Sequence, residues 1–166
     1  IKIDSLRGNI YYSTGLTIES CRLNGKNERK YFRVQPYSGK LVMGLTLDMD
    51  NQIVYWIVRS HLGSSLFSAK FMDLMGEEDE PIEYKLTERN LSGPLTHFSD
   101  RLVWRQNDKT IVFGDIQGKN LAFFENEKLN GLTCIVVIDK THHQFPDNVF
   151  GEVSVIPEQV IEDSIQ

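Results

Sequence analysis

Cysteine is scarce in this sequence, and its scarcity excludes one common way of stabilising a small fold. The 166 residues contain only Cys21 and Cys134. Two cysteines are too few for a disulfide framework, and neither lies at the spacing of zinc ligands. The count alone does not indicate whether the protein resides in an oxidising or a reducing compartment.

Positive charge and long apolar runs are also in short supply. The 18 lysines and arginines are outnumbered by 23 aspartates and glutamates, which gives a net charge of −5 without a basic stripe. Charge patterning therefore gives no support for a nucleic-acid partner or an anionic membrane surface. The longest apolar runs are far shorter than the roughly 20 residues of a membrane-spanning helix, so we expect no direct membrane insertion by this segment.

Helical periodicity and catalytic motifs are missing as well. No window keeps an apolar period of about 3.6 residues over several turns. The sequence has no Gly-x-Ser-x-Gly elbow, no reactive pairing of cysteine with histidine and no phosphate-binding loop. We therefore expect a segment that is not an enzyme, with no catalytic residue, no cofactor and no metal ion.

The chain begins with neither an initiator methionine nor the hydrophobic region of a signal peptide. We therefore expect residue 1 to lie inside a longer chain. A length of 166 residues corresponds to about one domain, and a hydrophobic content of 40% is ordinary for a globular protein with a buried core.

The sequence does contain a repeat of short β-type segments. Leu45-Thr46-Leu47 matches segments that begin at Ile1, Leu95 and Leu132. In the first three copies a hydrophobic–aromatic pair follows, and its second member is Tyr12, Trp56 or Trp104. These aromatic residues are 44 and 48 residues apart, which is the length of one four-stranded propeller blade. We predict that all three are core anchors of their blades.

A second set of aligned positions, which was not used to find the repeat, also supports it. The strand after each aromatic pair has apolar ends, and its fourth residue is small: Cys21, Ala69 or Gly114. The repeat predicts an all-β propeller with about three four-stranded blades, at residues 1–36, 41–88 and 93–128, and an extra strand at 131–139. Because the repeat does not make Cys21 and Cys134 neighbours, we expect buried free thiols, with a disulfide as the alternative.

These residues resemble the YWTD repeat of LDL-receptor-type β-propellers. In that repeat an apolar strand ends in Asp, and the tetrad Tyr-Trp-Thr-Asp follows after a few polar residues. Here each tetrad keeps an aromatic residue at its second position but lacks the final Asp; the tetrads begin at Tyr11, Tyr55 and Val103. The Asp at the strand end is present as Asp4 and Asp48.

This degenerate pattern is most similar to the propellers of the Sevenless/Ros receptor tyrosine kinases, over residues 1–147. The resemblance implies an extracellular, YWTD-type propeller segment of a single-pass plasma-membrane receptor, with residues 148–166 as a linker toward a fibronectin type III domain. Six blades of roughly 40 residues need about 240 residues, so we expect the other blades to lie outside this chain. The implied partners are a protein ligand, a fibronectin type III domain or other propeller blades.

Loops carry the binding function that the resemblance implies. The longest insertions relative to the other repeats are residues 60–65, with His61, and residues 75–81, with the acidic run Glu77, Glu78, Asp79 and Glu80. We predict these as interaction loops, with a purely solvated loop as the alternative for the acidic run. Asn90-Leu91-Ser92 is a glycosylation sequon, and we expect Asn90 to carry a glycan.

Two patterns only superficially resemble metal sites. His142 and His143 are adjacent, so on a strand they would point to opposite faces. Residues 48–51 lack the glycine and the glutamate of a calcium loop. A second functional class stays open, a propeller scaffold or propeller hydrolase outside the receptor class. The inner strands begin with Leu, Ile and Thr, where propeller enzymes place catalytic or metal-binding residues, and this disfavours the hydrolase.

Overall fold

The computed structural model describes residues 1–74, 76, 79–85, 91–116 and 120–136. Within them it contains twelve β-strands and one short 3-10 helix, Glu127–Leu129. The strands form three four-stranded antiparallel sheets, which confirms the predicted all-β architecture and its division into blades. No helix in this part of the chain is long and apolar enough to cross a membrane.

Each sheet is built from four consecutive strands in chain order, and we call the sheets blades 1, 2 and 3. Blade 1 contains β1 (Lys2–Asp4), β2 (Asn9–Ser13), β3 (Thr17–Arg22) and β4 (Arg29–Arg33). Blade 2 contains β5 (Leu41–Asp48), β6 (Ile53–Ser60), β7 (Gly63–Lys70) and β8 (Ile82–Lys85). Blade 3 contains β9 (Ser92–Phe98), β10 (Arg101–Arg105), β11 (Thr110–Gly114) and β12 (Ala122–Glu125).

The pairing register places the repeated residues at equivalent positions. Trp56 on β6 lies opposite Leu45 and Phe67 on the strands beside it. Trp104 on β10 lies opposite Leu95, which is the residue that aligns with Leu45. Because side chains alternate between the two faces of a strand, the residue before each tryptophan points to the opposite face of its blade.

Two hydrophobic cores lie between the blades, and β6 contributes to both. The first core joins blade 1 to blade 2 and contains Val54, Trp56 and Val58 from one face of β6. The second core joins blade 2 to blade 3 and contains Tyr55 and Ile57 from the other face. All five side chains are buried. β6 is therefore a nearly continuous apolar run, as expected for a strand that is covered on both faces.

Each tryptophan faces the preceding blade. The Trp56 ring centroid lies 5.7 Å from that of Phe32 on β4 of blade 1. Trp104 packs into the second core, where it meets Tyr55 and Ile57 of blade 2. The two tryptophans are 0% and 2% exposed. In both contacts, therefore, the tryptophan that packs between two blades comes from the later blade in the chain.

The structure differs from the sequence prediction at Tyr12. This residue occupies the tryptophan position of blade 1, but it is only half-buried, and its O–H donates to Oε1 of Glu28 (2.8 Å). Its neighbour Tyr11 is the residue that is fully buried in the first core. The Tyr12 face points away from blade 2, and within the described residues no blade covers it. Ile1 and Ile3 are exposed on the same face.

The small-residue column has a direct explanation in blade 3. A Cβ atom at Gly114 would lie 2.8 Å from Cη2 of Trp104 and 2.5 Å from Cδ2 of Leu121. The equivalent Ala69 packs into the first core, in which Trp56 lies. The position is small because the aromatic ring of the same blade lies over it.

The structure also differs from the sequence prediction at the strand expected over 131–139 and in the burial of the two thiols. Residues 132–136 form no strand, and the remainder of that segment lies outside the described residues, as does the linker at 148–166. A strand needs a neighbour to satisfy its backbone groups, and no described strand pairs here.

Both cysteines are free thiols, but Cys21 lies half-buried on the uncovered face of blade 1 and Cys134 is exposed.

Substitution of Trp56 by alanine should lower the free energy of unfolding by about 3–5 kcal/mol, because it removes the largest side chain from the first core. The same change at Tyr12 should cost about 1 kcal/mol or less, because this ring is half-exposed. Urea unfolding followed by circular dichroism compares the two variants. Equal losses would contradict the assignment of Tyr12 to an uncovered face.

Candidate interaction surface

An aspartate at the end of the first strand closes the turn to the second strand. The Asp48 carboxylate accepts from the backbone N–H groups of Asp50 (3.1 Å) and Asn51 (2.9 Å) and from the side-chain amide of Asn51 (2.8 Å). Asp4 holds the equivalent turn of blade 1 by accepting from the backbone N–H of Arg7 (3.1 Å). These hydrogen bonds offset the cost of burying the two carboxylates. The described residues contain no group of three or more potential metal ligands.

A polar bridge joins blades 2 and 3 beside the Asp48 turn. Nε2 of His97 on β9 lies 3.3 Å from Oδ2 of Asp48. The imidazole stacks on the ring of Tyr55 at a centroid distance of 6.0 Å, and the backbone N–H of His97 donates to Oγ1 of Thr46 (3.0 Å). Burial first, and then the Asp48 charge, raise the pKa of Tyr55 above its ordinary value. Repeat alignment places these residues in separate copies and does not reveal their contact.

A second polar bridge fixes the segment after β7 against blade 1. The Asp73 carboxylate accepts from Nδ2 of Asn9 (3.0 Å) and from the guanidinium of Arg22 (2.8 Å). The backbone N–H of Met72 donates to the hydroxyl oxygen of Tyr11 (3.3 Å). The β7–β8 connection is therefore part of the contact between blades.

The acidic loop at residues 75–81 is also partly anchored to the rest of the fold. The sequence suggests either an interaction loop or a purely solvated loop. The carbonyl of Gly76 accepts from the guanidinium of Arg29 in blade 1 (2.8 Å). The backbone N–H of Gly76 donates to Oδ2 of Asp79 (3.0 Å), and Nζ of Lys70 lies 3.4 Å from the same oxygen. The Gly76 hydrogen bond first, and then Lys70, lower the pKa of Asp79. Asp79 thus closes the loop on itself.

The segment at 60–65 is a hairpin tip and not a long loop. β6 and β7 remain paired up to the tip, which leaves only His61 and Leu62 in the turn. The additional residues of this repeat lengthen two strands, because strand pairing satisfies their backbone groups. Both tip residues are exposed, and Nδ1 of His61 lies 4.0 Å from the position of a Cβ atom at Gly39. The tip therefore lies beside the β4–β5 loop.

The β4–β5 loop presents an aromatic side chain that sequence reasoning missed. The carbonyl oxygen of Gln35 accepts from the backbone N–H (3.2 Å) and the O–H (2.6 Å) of Ser38, which closes a turn. Tyr37 lies in this turn with a φ of 64°, a conformation uncommon for a residue other than glycine. Its side chain is fully exposed. The composition of residues 36–39 signals a turn, but it does not show which side chain the turn displays.

A groove of about 500 Å³ lies between blades 1 and 2 next to this loop, and we call it the interblade groove. Its apolar lining comprises Phe32, Val34, Val58 and Phe67. The ring centroids of Phe32 and Phe67 lie 4.8 Å apart. Its charged lining comprises Arg33 and Lys40 on the blade 1 side and Glu83 on the blade 2 side.

The interblade groove lies where the end of β4 meets the central strands of blade 2. β7 is eight residues long, but β8 pairs with it only from Ser65 to Ser68. On the other side β4 ends at Arg33, where the chain leaves the sheet. Phe32 of β4, Val58 of β6 and Phe67 of β7 line this corner.

Among the other predicted site residues, Asp79 lies in the acidic loop and does not line this groove. Glu80 is exposed at the end of the acidic loop. Glu77, Glu78 and Asn90 lie outside the described residues, as do His142 and His143, which are not predicted to bind a metal ion. Leu91, which follows the sequon asparagine, is buried, and its carbonyl accepts from the hydroxyl of Ser64 (2.9 Å).

Comparison with protein-family models finds no match. Among curated proteins the chain is similar to the proto-oncogene tyrosine-protein kinase ROS of Mus musculus, with 30% identity over 168 residues. The protein of that name from Homo sapiens is 29% identical over 168 residues. Each alignment covers 99% of this chain, and the chain spans about 7% of the length of these relatives.

Among solved structures the chain is similar to a chain in the crystal structure of a nidogen/laminin complex. The TM-score is 0.52 and the identity is 19%, over 75% of this chain and 45% of that chain. At this identity the likeness concerns the fold alone. Together with the stacked four-stranded sheets, it supports the fold of all-β propeller blades.

Substitution of Asp48 by asparagine should lower the free energy of unfolding by about 1–3 kcal/mol, because buried N–H donors and His97 lose a charged acceptor. Asp100→Asn is the matched control, since Asp100 is exposed, and it should change stability by about 0.5 kcal/mol or less. Urea unfolding at neutral pH measures both values. An unchanged stability in the Asp48 variant would contradict the bridge between blades 2 and 3.

Stability should also fall at alkaline pH. Burial raises the pKa of Tyr31 and Tyr55 above the ordinary value of 10.0, so the folded chain retains protons that the unfolded chain releases. This contribution is present below about pH 10 and is lost as the pH rises further. Tyr55→Phe should make the fall less steep in urea unfolding between about pH 9 and 11. The exposed Tyr37→Phe variant is the control, and an equal effect there would contradict the prediction.

Proposed function

Because the chain is homologous over its whole length to a segment of the ROS receptor tyrosine kinases, we propose that it forms part of a propeller in the extracellular region of such a receptor. Its role there is to bind a protein ligand or a neighbouring domain, and not to catalyse a reaction. The kinase activity of the parent would lie in another part of the protein. The whole-length similarity of a three-blade propeller segment to a receptor kinase carries this proposal.

Uncovered apolar surface supports the presence of further blades. Ile1 and Ile3 are exposed on the face of blade 1 that points away from blade 2, and Phe124 is exposed on the face of blade 3 opposite to that of Trp104. Apolar surface of this kind is typical of a contact with another folded unit. We propose that other blades of the same propeller cover it, and that residues 148–166 lead toward a fibronectin type III domain.

Rigid positioning of loops supports a binding role. The β7–β8 connection is tied to blade 1 through Asp73 and through the carbonyl of Gly76. The β4–β5 turn is closed by two hydrogen bonds to Gln35. A surface that is ordered before binding loses less conformational entropy when a partner arrives, which favours affinity.

The proposal predicts an N-linked glycan at Asn90. When the chain is expressed in mammalian cells behind an added signal peptide and secreted, treatment with peptide-N-glycosidase should lower its apparent mass, and Asn90→Gln should abolish that shift. Asn107→Gln is the matched control, because Asn107 is not part of a sequon, and it should keep the shift. Secreted protein without any shift would contradict the glycan. Retention of well-folded protein inside the cell would contradict the extracellular location.

A further inference from the structure

The interblade groove combines an apolar floor with a positively charged rim, and the proposed function does not specify what it binds. We propose that it is a docking site for an extended segment of a protein partner in which an acidic side chain lies next to an apolar one. This inference rests on the proposed function, because it names the surface and the partner chemistry of the same binding role.

The floor of the interblade groove suits an apolar side chain. Phe32 and Phe67 are half-buried, and their rings are tilted by 45° to one another; the buried Val34 and Val58 belong to the same apolar lining. A volume of about 500 Å³ lies within the range of small ligand sites, roughly 300–1,000 Å³. Accessible aromatic and aliphatic surface in a concave site is typical of the pocket that receives an anchoring side chain.

The rim provides charge complementarity to an acidic side chain. The sequence as a whole is acidic, with a net charge of −5, yet the groove is lined by Arg33 and Lys40. Both are exposed, and neither forms an ion pair with another described residue. Glu83, the acidic residue of the lining, accepts from the hydroxyl of Ser65 (2.8 Å). Two cations are thus available to a carboxylate from outside.

Tyr37 extends this surface beyond the groove. It lies between Gln35 and Ser38, which line the groove, and its ring is fully exposed. Its left-handed backbone conformation is held by the hydrogen bonds of Ser38 to Gln35. Strained residues held by their surroundings occur preferentially at binding sites, and tyrosine is enriched among residues that dominate interfaces.

The arrangement of strands favours an extended segment as the occupant. β4 is the last strand of blade 1 and β8 is the last strand of blade 2, so each has a free edge on its side of the groove among the described residues. Free strand edges offer backbone donors and acceptors to an added segment. The exposed Arg33 at the end of β4 disfavours pairing with a second copy of the same strand and favours an acidic partner.

Selection from a phage library of random dodecapeptides, with the whole chain as the target, tests the inference. Enriched peptides should carry Asp or Glu next to Phe, Leu, Ile or Val. An enriched peptide is then synthesised with a fluorophore, and its affinity is measured by anisotropy. Combined Arg33→Glu and Lys40→Glu substitutions should weaken binding about tenfold or more. Tyr37→Ala should weaken it as well, and this exposed side chain is not needed for folding.

Lys26→Glu combined with Lys128→Glu is the matched control, since both lysines are exposed, lie outside the groove and give the same change in net charge. This variant should bind with unchanged affinity. Circular dichroism melts establish that all variants are folded. In a separate experiment, vesicles of phosphatidylcholine and phosphatidylserine replace the peptide. They should show no binding that depends on Arg33 and Lys40.

Three results would overturn the inference: enriched peptides without acidic residues, peptide affinity unchanged in the Arg33 and Lys40 variant, or an equal loss in the lysine control. Vesicle binding that depends on Arg33 and Lys40 would also overturn it in favour of a membrane surface. These failures leave the proposed function intact if the chain is secreted with its glycan. Failure of secretion would instead contradict the proposed function itself.

Discussion

The stacking of one blade against the next is the constraint on which the rest of this structure depends. Trp56 is buried against blade 1, and Trp104 is buried against blade 2. A four-stranded sheet with two apolar faces cannot bury them alone, so each blade depends on its neighbours, as in other repeat proteins. The same contact dictates small residues elsewhere, because the ring of Trp104 leaves no room for a side chain at Gly114.

Polar contacts at the same interfaces determine where the loops lie. Asp48 holds its own turn and meets His97 of the next blade, while Asp73 reaches back to Asn9 and Arg22 of the previous one. Since these contacts are tied to the stacked sheets, the loops inherit the rigidity of the scaffold. The interblade groove lies between the same two blades, where the end of β4 meets β6 and β7.

Much of the fold could be predicted from the sequence, because blade length, turn residues and alternating apolar positions recur locally along the chain. Tyr12 could not be assigned in this way, since its burial depends on a blade that the described chain does not contain. The lengthened hairpin before His61 resembles a loop in an alignment, because an alignment counts inserted residues but does not show their pairing. The interblade groove arises from contacts between distant segments, which no local pattern reports. The turn at residues 35–38 is a local feature, but its composition does not show that it displays Tyr37.

Hydrogen exchange of the folded chain, followed by mass spectrometry, tests most directly the claim that the blades stabilise one another through their faces. β6 contributes side chains to both hydrophobic cores, whereas no residue of β1 or β12 belongs to either core. The account predicts that the amides of β6 exchange slowest and that those of β1 and β12 exchange at least about tenfold faster. Uniform protection across the three blades, or the strongest protection in β1 or β12, would contradict it.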